Sequence, residues 1–129
     1  MDIQTFLKQA KSVRWPSLLR RAYIDVPGFT ALYVRYTQRC VEGRLLDPVF
    51  EIANVEVATS QRGKGIFSRF LEEVISLCSD TAIYVECVHN KRLATMLQRR
   101  GFQNVGELDT DHSLDFLLRD SSEYRKENV

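Results

Sequence analysis

One stretch constrains this chain more than any other: Val55-Glu56-Val57-Ala58-Thr59-Ser60-Gln61-Arg62-Gly63-Lys64-Gly65-Ile66. Asn54 to Val57 alternates β-branched and polar residues, which predicts a strand. From Ile66 the period changes. Phe67, Phe70, Leu71, Val74, Ile75 and Cys78 recur at three- and four-residue steps, the stripe of an amphipathic helix. Between strand and helix, Gly63 and Gly65 let backbone N–H groups approach a ligand without a Cβ in the way. The loop therefore aims unpaired donors and the positive end of a helix dipole at one point, with Arg62 and Lys64 adding full charges. Such a site suits a phosphate.

The detail separates the glycine loops that work this way. A P-loop needs four residues between its first Gly and a Gly-Lys-Ser/Thr ending. Here Ala58 stands five before Gly63, and Gly65 follows Lys64 where a hydroxyl is required, so that reading fails. The dinucleotide fingerprint fits Gly63 and Gly65 but meets Ser68 at its third glycine. Glu86 lies near the spacing of its ribose-binding acid, yet the loop comes mid-chain and leaves little chain for a dinucleotide-binding sheet. A βα turn with glycines used only for packing is the plainest alternative. Val57 through Ile66 resembles the acyl-CoA-binding motif of the GNAT superfamily of N-acyltransferases: Arg or Gln, two free positions, Gly, one free position, then Gly or Ala. Arg62-Gly63-Lys64-Gly65-Ile66 matches the first five positions, and Phe67 departs from the sixth.

Composition bounds the rest. A chain of 129 residues suits one domain with one core, here residues 1–129, with 120–129 expected to be a disordered polar tail. A 44% hydrophobic and 27% charged make-up is that of a soluble globular protein. The net charge of +1 gives no global pull toward nucleic acid or anionic membranes, so any electrostatic function must be local. No apolar run approaches the roughly 18 residues of a membrane helix, and Met1-Asp2-Ile3-Gln4 does not open like a signal peptide. Cys40, Cys78 and Cys87 are too few for a disulfide framework, which points to free thiols in the cytoplasm.

In chain order, Asp2 to Ser12 predicts a short helix with Ile3, Phe6, Leu7 and Ala10 inward. Lys8, Lys11, Arg14, Arg20 and Arg21 cluster around Trp15-Pro16. They read as a solvated face with Trp15 over the core, in preference to a nucleic-acid patch. Phe29–Val41 and Leu45–Val57 predict a long antiparallel hairpin turned at Glu42-Gly43-Arg44, with a bulge or break at Asp47-Pro48. After the helix from Ile66 to Cys78, Thr81–Val88 predicts a buried strand parallel to the one before it. A second helix begins at Asn90 and ends at Gly101 in the C′ position, with Phe102 packing back. Gln103–Leu108 and Leu114–Leu118 predict a last hairpin across Asp109-Thr110-Asp111.

This order resembles the GNAT fold independently of the loop, from about Phe29 to Leu118. The resemblance implies an α/β (α+β) fold: a mixed, mostly antiparallel twisted sheet with a central parallel strand pair splayed to admit CoA and helices on both faces. It implies acetyl-CoA (CoA) as cofactor, held by backbone of Val55 and Val57, by N–H groups of Arg62, Gly63, Lys64, Gly65 and Ile66, and by Asn90 from the opposite side. From the residues alone, Asn90 is equally an N-cap.

The chemistry so implied is N-acetyl transfer from acetyl-CoA to a primary amine, by direct attack in a ternary complex. A carboxylate takes the amine's proton, with Glu51 or Glu56 as candidates. Strand alternation sets Glu51 and Val57 on one face and Glu56 on the other. The tyrosine that commonly protonates the leaving thiolate is replaced by Leu97, with Tyr33, Tyr36 or His89 as substitutes. Cys87 and His89 lack a second pair at zinc spacing, so no metal is expected, and Cys78 and Cys87 read as core residues. The expected partner is a small-molecule or peptide amine, without membrane or nucleic acid, and a homodimer is left open. A GNAT-fold binding or regulatory module without catalysis is the alternative, favoured by Phe67 and Leu97.

Overall fold

The structure, a computed structural model, describes residues 1–105 and 114–126. Six strands form one sheet: β1 (Arg21–Tyr23), β2 (Phe29–Val41), β3 (Arg44–Val57), β4 (Ala82–Val88), β5 (Gln103–Asn104) and β6 (Leu114–Leu118), in the order β1-β2-β3-β4-β6-β5. Among the described residues three α-helices accompany them: α1 (Ile3–Lys11), α2 (Ile66–Leu77) and α3 (Lys91–Arg99). The β2–β3 hairpin turns on Glu42 and Gly43, whose φ values of 51° and 79° are those of a two-residue turn that follows the strands' own twist. At Asp47-Pro48 the register slips, between Thr37↔Val49 and Arg39↔Leu46, because proline cannot donate to the ladder. The α2 crossover makes β4 parallel to β3, from Val49↔Ala82 to Ile52↔Val85.

The main core lies on the face carrying Phe50, Ile52, Ile83 and Val85. Phe6 of α1 meets Phe50 edge-on at 6.4 Å, Phe70 of α2 lies 6.4 Å from the same ring, and Leu97 of α3 is buried in the same cluster. Each such fully buried side chain contributes about 1.5–3 kcal/mol. The three described helices thus gather on one face, not on both as the sequence reading has it. The other face is closed differently. A small cluster of Val41, Val49, Ala82, Tyr84 and Leu117 lies there, and the Arg39 guanidinium sits 3.9 Å over the Tyr84 ring.

Three further expectations are corrected. Trp15 does not cover the core but is 42% exposed. Arg20 takes that place, bonding the Val13 carbonyl through Nε (3.0 Å) and Nη2 (2.6 Å) and lying 5.4 Å over the Tyr36 ring. The edge strand β1 goes unforeseen, since three residues show no period. The segment from Asp120, expected as a disordered tail, docks as far as it is described. Asp120 Oδ1 accepts from Ser122 N–H, a 3₁₀ turn spans Ser121–Glu123, and Arg125 N–H donates to the Arg100 carbonyl at 2.8 Å. Gly101, at φ 102°, permits this, because a Cβ there would lie 2.3 Å from the Glu123 carbonyl oxygen. The expected turn at Asp109-Thr110-Asp111 lies outside the described residues.

Candidate active site

The glycine loop leaves β3 and enters α2 with Gly65 as N-cap at φ 74°. No side chain caps this helix, so its first-turn N–H groups keep no intrahelical acceptor. Gly63 also has positive φ (78°), and a Cβ there would meet nothing within 4 Å. The loop is braced from both ends: Arg62 Nε donates to the Val57 carbonyl at 3.2 Å, and Arg69 Nη1 to the Lys64 carbonyl at 2.8 Å. Facing it, Asn90 caps α3, its Oδ1 accepting from Arg92 N–H (2.8 Å) and Leu93 N–H (3.2 Å). A cleft of about 640 Å³ lies between, and Val55, Val57, Arg62, Gly65, Ile66 and Asn90 are among the residues that line it. Lys64 is exposed and does not line it. Lys91 and Arg92 do, and no sequence argument had singled them out. Among the described residues no carboxylate pairs with Arg62, Lys64, Lys91 or Arg92. Two helix N-termini and these cations therefore converge on one cleft, an arrangement that favours a polyanion.

The cleft continues into the sheet. Parallel pairing between β3 and β4 stops after Ile52↔Val85. On β3 an extra residue, Ala53, stands between Ile52↔Val34 and Asn54↔Tyr33, a bulge that bends the strand. On β4 the register breaks between Val85 and Val88, and Cys87 has φ 55°. A second cavity of about 280 Å³ opens between the diverging ends, bounded by Asn54 and Val55 on one side and Cys87, Val88 and His89 on the other. It shares Val55, Asn90 and Leu93 with the first. A parallel pair splayed beyond a bulge, with a glycine loop at its mouth, decides the architecture. It is the splayed, mixed-sheet arrangement that the sequence resemblance implies.

No protein-family model matches the chain, and no curated protein does. Among solved structures, similarity is found to a mutant AtaT toxin bound to the C-terminus of the antitoxin AtaR and acetyl-CoA, with TM-score 0.49 and 14% identity over 71% of this chain. The match spans 59% of that toxin's length. A histone acetyltransferase HPA2 and related acetyltransferase from Corynebacterium glutamicum ATCC 13032 is similar with TM-score 0.48 and 18% identity, over 100% of this chain and 96% of that one.

Within this fold the catalytic candidates fall differently from the sequence reading. Glu51 is 3% exposed and lies on the sheet face opposite the helices. Both its oxygens are engaged: Oε2 accepts from Arg39 Nη1 at 2.5 Å, and Oε1 lies 3.4 Å from Arg35 Nε. The same arginines reach Glu86, at 2.8 Å from Arg35 and 3.2 Å from Arg39, and Arg39 lies 3.8 Å from Asp115. Tyr84 donates its hydroxyl to Asp115, and burial, reinforced by that carboxylate, holds its pKa well above the usual tyrosine range. Sequence reasoning missed Arg35, Arg39, Tyr84 and Asp115, and it weighed Glu86 only as a ribose-binding acid. The legible signals are Glu86 and Asp115, each a charge inside an otherwise apolar strand.

The alternation argument for Glu56 fails, because the Ala53 bulge inverts it. Asn54 pairs with Tyr33, two residues along β2 from Arg35, so Asn54 and Glu56 return to the Glu51 side. Val57 pairs with Phe29, whose ring packs on Phe67 and Phe70, and so belongs to the helix face. Glu56 is exposed and lines the cleft. Phe67, the departure from the motif, is 7% exposed and packs against Phe29 and Phe70 at 6.3 and 6.5 Å. Leu97 is fully buried core. Tyr36 lies beneath Lys11 and Arg20 on the helix face, away from Glu51, and burial raises its pKa. Tyr33 stacks on Tyr23 at 4.8 Å. His89 is exposed at the strand gap, and Cys87 is exposed there too, not in the core.

Proposed function

We propose that the chain is an acyl-CoA-dependent N-acetyltransferase acting on a primary amine. The observation that carries this is the continuous path from the uncapped glycine loop into the gap between β3 and β4. The loop suits a pyrophosphate, and the gap offers strand peptide groups to a thin amide-bearing arm. Val55, Val57, Arg62 to Ile66 and Asn90 would hold acetyl-CoA, which supplies an activated thioester.

An acceptor amine reaching the gap must be neutral to attack. Glu56, exposed on the Glu51 side, is the carboxylate free to take its proton directly or through water. Glu51 can do so only once Arg39 moves aside. Strand N–H groups left unpaired at the splay would stabilise the oxyanion. No tyrosine stands at Leu97, so His89 is the group at the gap able to protonate a departing thiolate.

A specific observation favours a second reading, a CoA-binding module without turnover: the buried Glu51 is already held by two guanidiniums, and a buried leucine, Leu97, stands where the leaving-group tyrosine would be. Calorimetric titration with CoA and acetyl-CoA comes first. Binding of neither sinks both readings. With binding in hand, thiol release is followed across a panel of amines. Turnover that falls about 100-fold or more in Glu56→Gln, at unchanged CoA affinity, supports the enzyme and its base. Binding with no thiol release from any amine supports the module.

A further inference from the structure

Residues 3–24 hold Lys8, Lys11, Arg14, Arg20 and Arg21 and no carboxylate, in a chain whose net charge is only +1. The near-neutral total conceals a local positive excess. In the same segment Trp15, Leu18 and Leu19 are 42%, 71% and 47% exposed. Three large apolar side chains within five residues are not held out by a fraying end. Leu19 N–H donates to Ser17 Oγ at 3.1 Å, Gln9 Nε2 donates to the Leu19 carbonyl at 3.0 Å, and Arg20 clamps the Val13 carbonyl. The base of the loop is pinned while its apolar side chains point outward. Lys8, Lys11, Arg14 and Arg21 around it are exposed. The cleft and gap described above take no residue from this segment.

We propose that this loop is an interfacial anchor that docks the protein on an anionic lipid surface. Trp15, Leu18 and Leu19 enter the boundary between headgroups and acyl chains, and the exposed cations meet lipid phosphates. The charge complementarity is direct, and the apolar part selects a bilayer over the other polyanions. Nucleic acid satisfies the cations but offers no place to bury Leu18 and Leu19. An acidic protein partner would have to supply a preformed recess for the projecting loop, whereas a bilayer deforms around it. Three partly inserted side chains amount to a weaker anchor than paired lipid chains, so attachment is reversible and sensitive to salt.

The test is sedimentation of the whole protein with vesicles of phosphatidylcholine alone and with about 30% phosphatidylserine. The expected result is pelleting with the second and not the first, abolished near about 0.5 M salt. The variant carrying Trp15→Ser, Leu18→Ser and Leu19→Ser should lose at least about tenfold in partitioning. Its thermal midpoint should stay within a few degrees of the parent's, since none of the three side chains belongs to the buried core. Arg14→Gln with Arg21→Gln, which keeps the apolar side chains, should lose several-fold. Failure of the parent to pellet with anionic vesicles, equal pelleting with neutral ones, or undiminished pelleting of the triple-serine variant would each overturn the proposal. Binding of a single-stranded RNA oligonucleotide without vesicle binding would overturn it in favour of nucleic acid.

Discussion

Two charged regions of this molecule, the ion-pair cluster on the sheet and the mouth of the cleft, treat their charges in opposite ways. Behind the sheet, Arg35, Arg39, Glu51, Glu86 and Asp115 pair with one another, and Glu51 is 3% exposed. At the cleft, Arg62, Lys91 and Arg92 face two helix N-termini with no carboxylate paired to them among the described residues. Where charges are matched within the fold, removing one leaves its partners uncompensated and is destabilising. Charges left unmatched at a cleft repel one another slightly and are available to an anionic ligand. A substitution in the first region should therefore show mainly in stability, and one in the second mainly in ligand affinity.

The largest effect is expected behind the sheet. Glu51→Gln leaves Arg39 and Arg35 facing a neutral amide. The cost should be about 2–3 kcal/mol, less than for a fully buried pair because both arginines keep some contact with water. For a chain of this size that lowers the thermal midpoint by roughly 10 °C. A double-mutant cycle with Arg39→Met should return a coupling of about 1–2 kcal/mol. An unchanged midpoint for Glu51→Gln would show that the cluster is not structural, and the comparison would collapse.

Asn90 sits on the boundary between the two regimes, since its Oδ1 caps α3 while the residue lines the cleft. Asn90→Ala should cost about 1 kcal/mol in stability and weaken CoA further. Asn90→Ser keeps a cap and removes the amide. If the serine variant recovers stability while CoA affinity stays about tenfold down, the amide contacts ligand. If it recovers both, Asn90 is a cap alone.

Most of the local structure was legible in the chain, and the misses share a cause. The limits of β2 and α2 follow from period and from the turn residues around them, which are local signals. The glycine loop was legible for the same reason: its conformational demand and charge sit in five consecutive residues. The Ala53 bulge was not, because an extra residue has meaning only against the register of β2, and it reversed the facing of Glu56. The ion-pair cluster draws on β2, β3, β4 and β6, elements far apart in sequence, so no spacing rule exposes it. The docked segment after Asp120 depends on the missing side chain of Gly101, whose other role, ending α3, hid this one. Trp15 was misplaced because hydrophobicity alone does not say whether a neighbouring arginine has already covered the core.

The smallest effect on stability should carry an informative sign. Lys91 is the first residue of α3, where a cation opposes the helix dipole. Lys91→Glu therefore places a favourable charge at that end and should raise stability by about 0.5 kcal/mol. In the cleft the same substitution sets a carboxylate where phosphates would lie, so CoA affinity should fall several-fold, more at low salt than at high. Chemical denaturation and calorimetric titration of the same preparation read both quantities. Stability up with affinity down is the signature of a charge kept for a ligand at the fold's expense. Stability down would mean that Lys91 is matched within the fold after all. Unchanged affinity would move the polyanion away from α3 and leave the glycine loop to hold it alone.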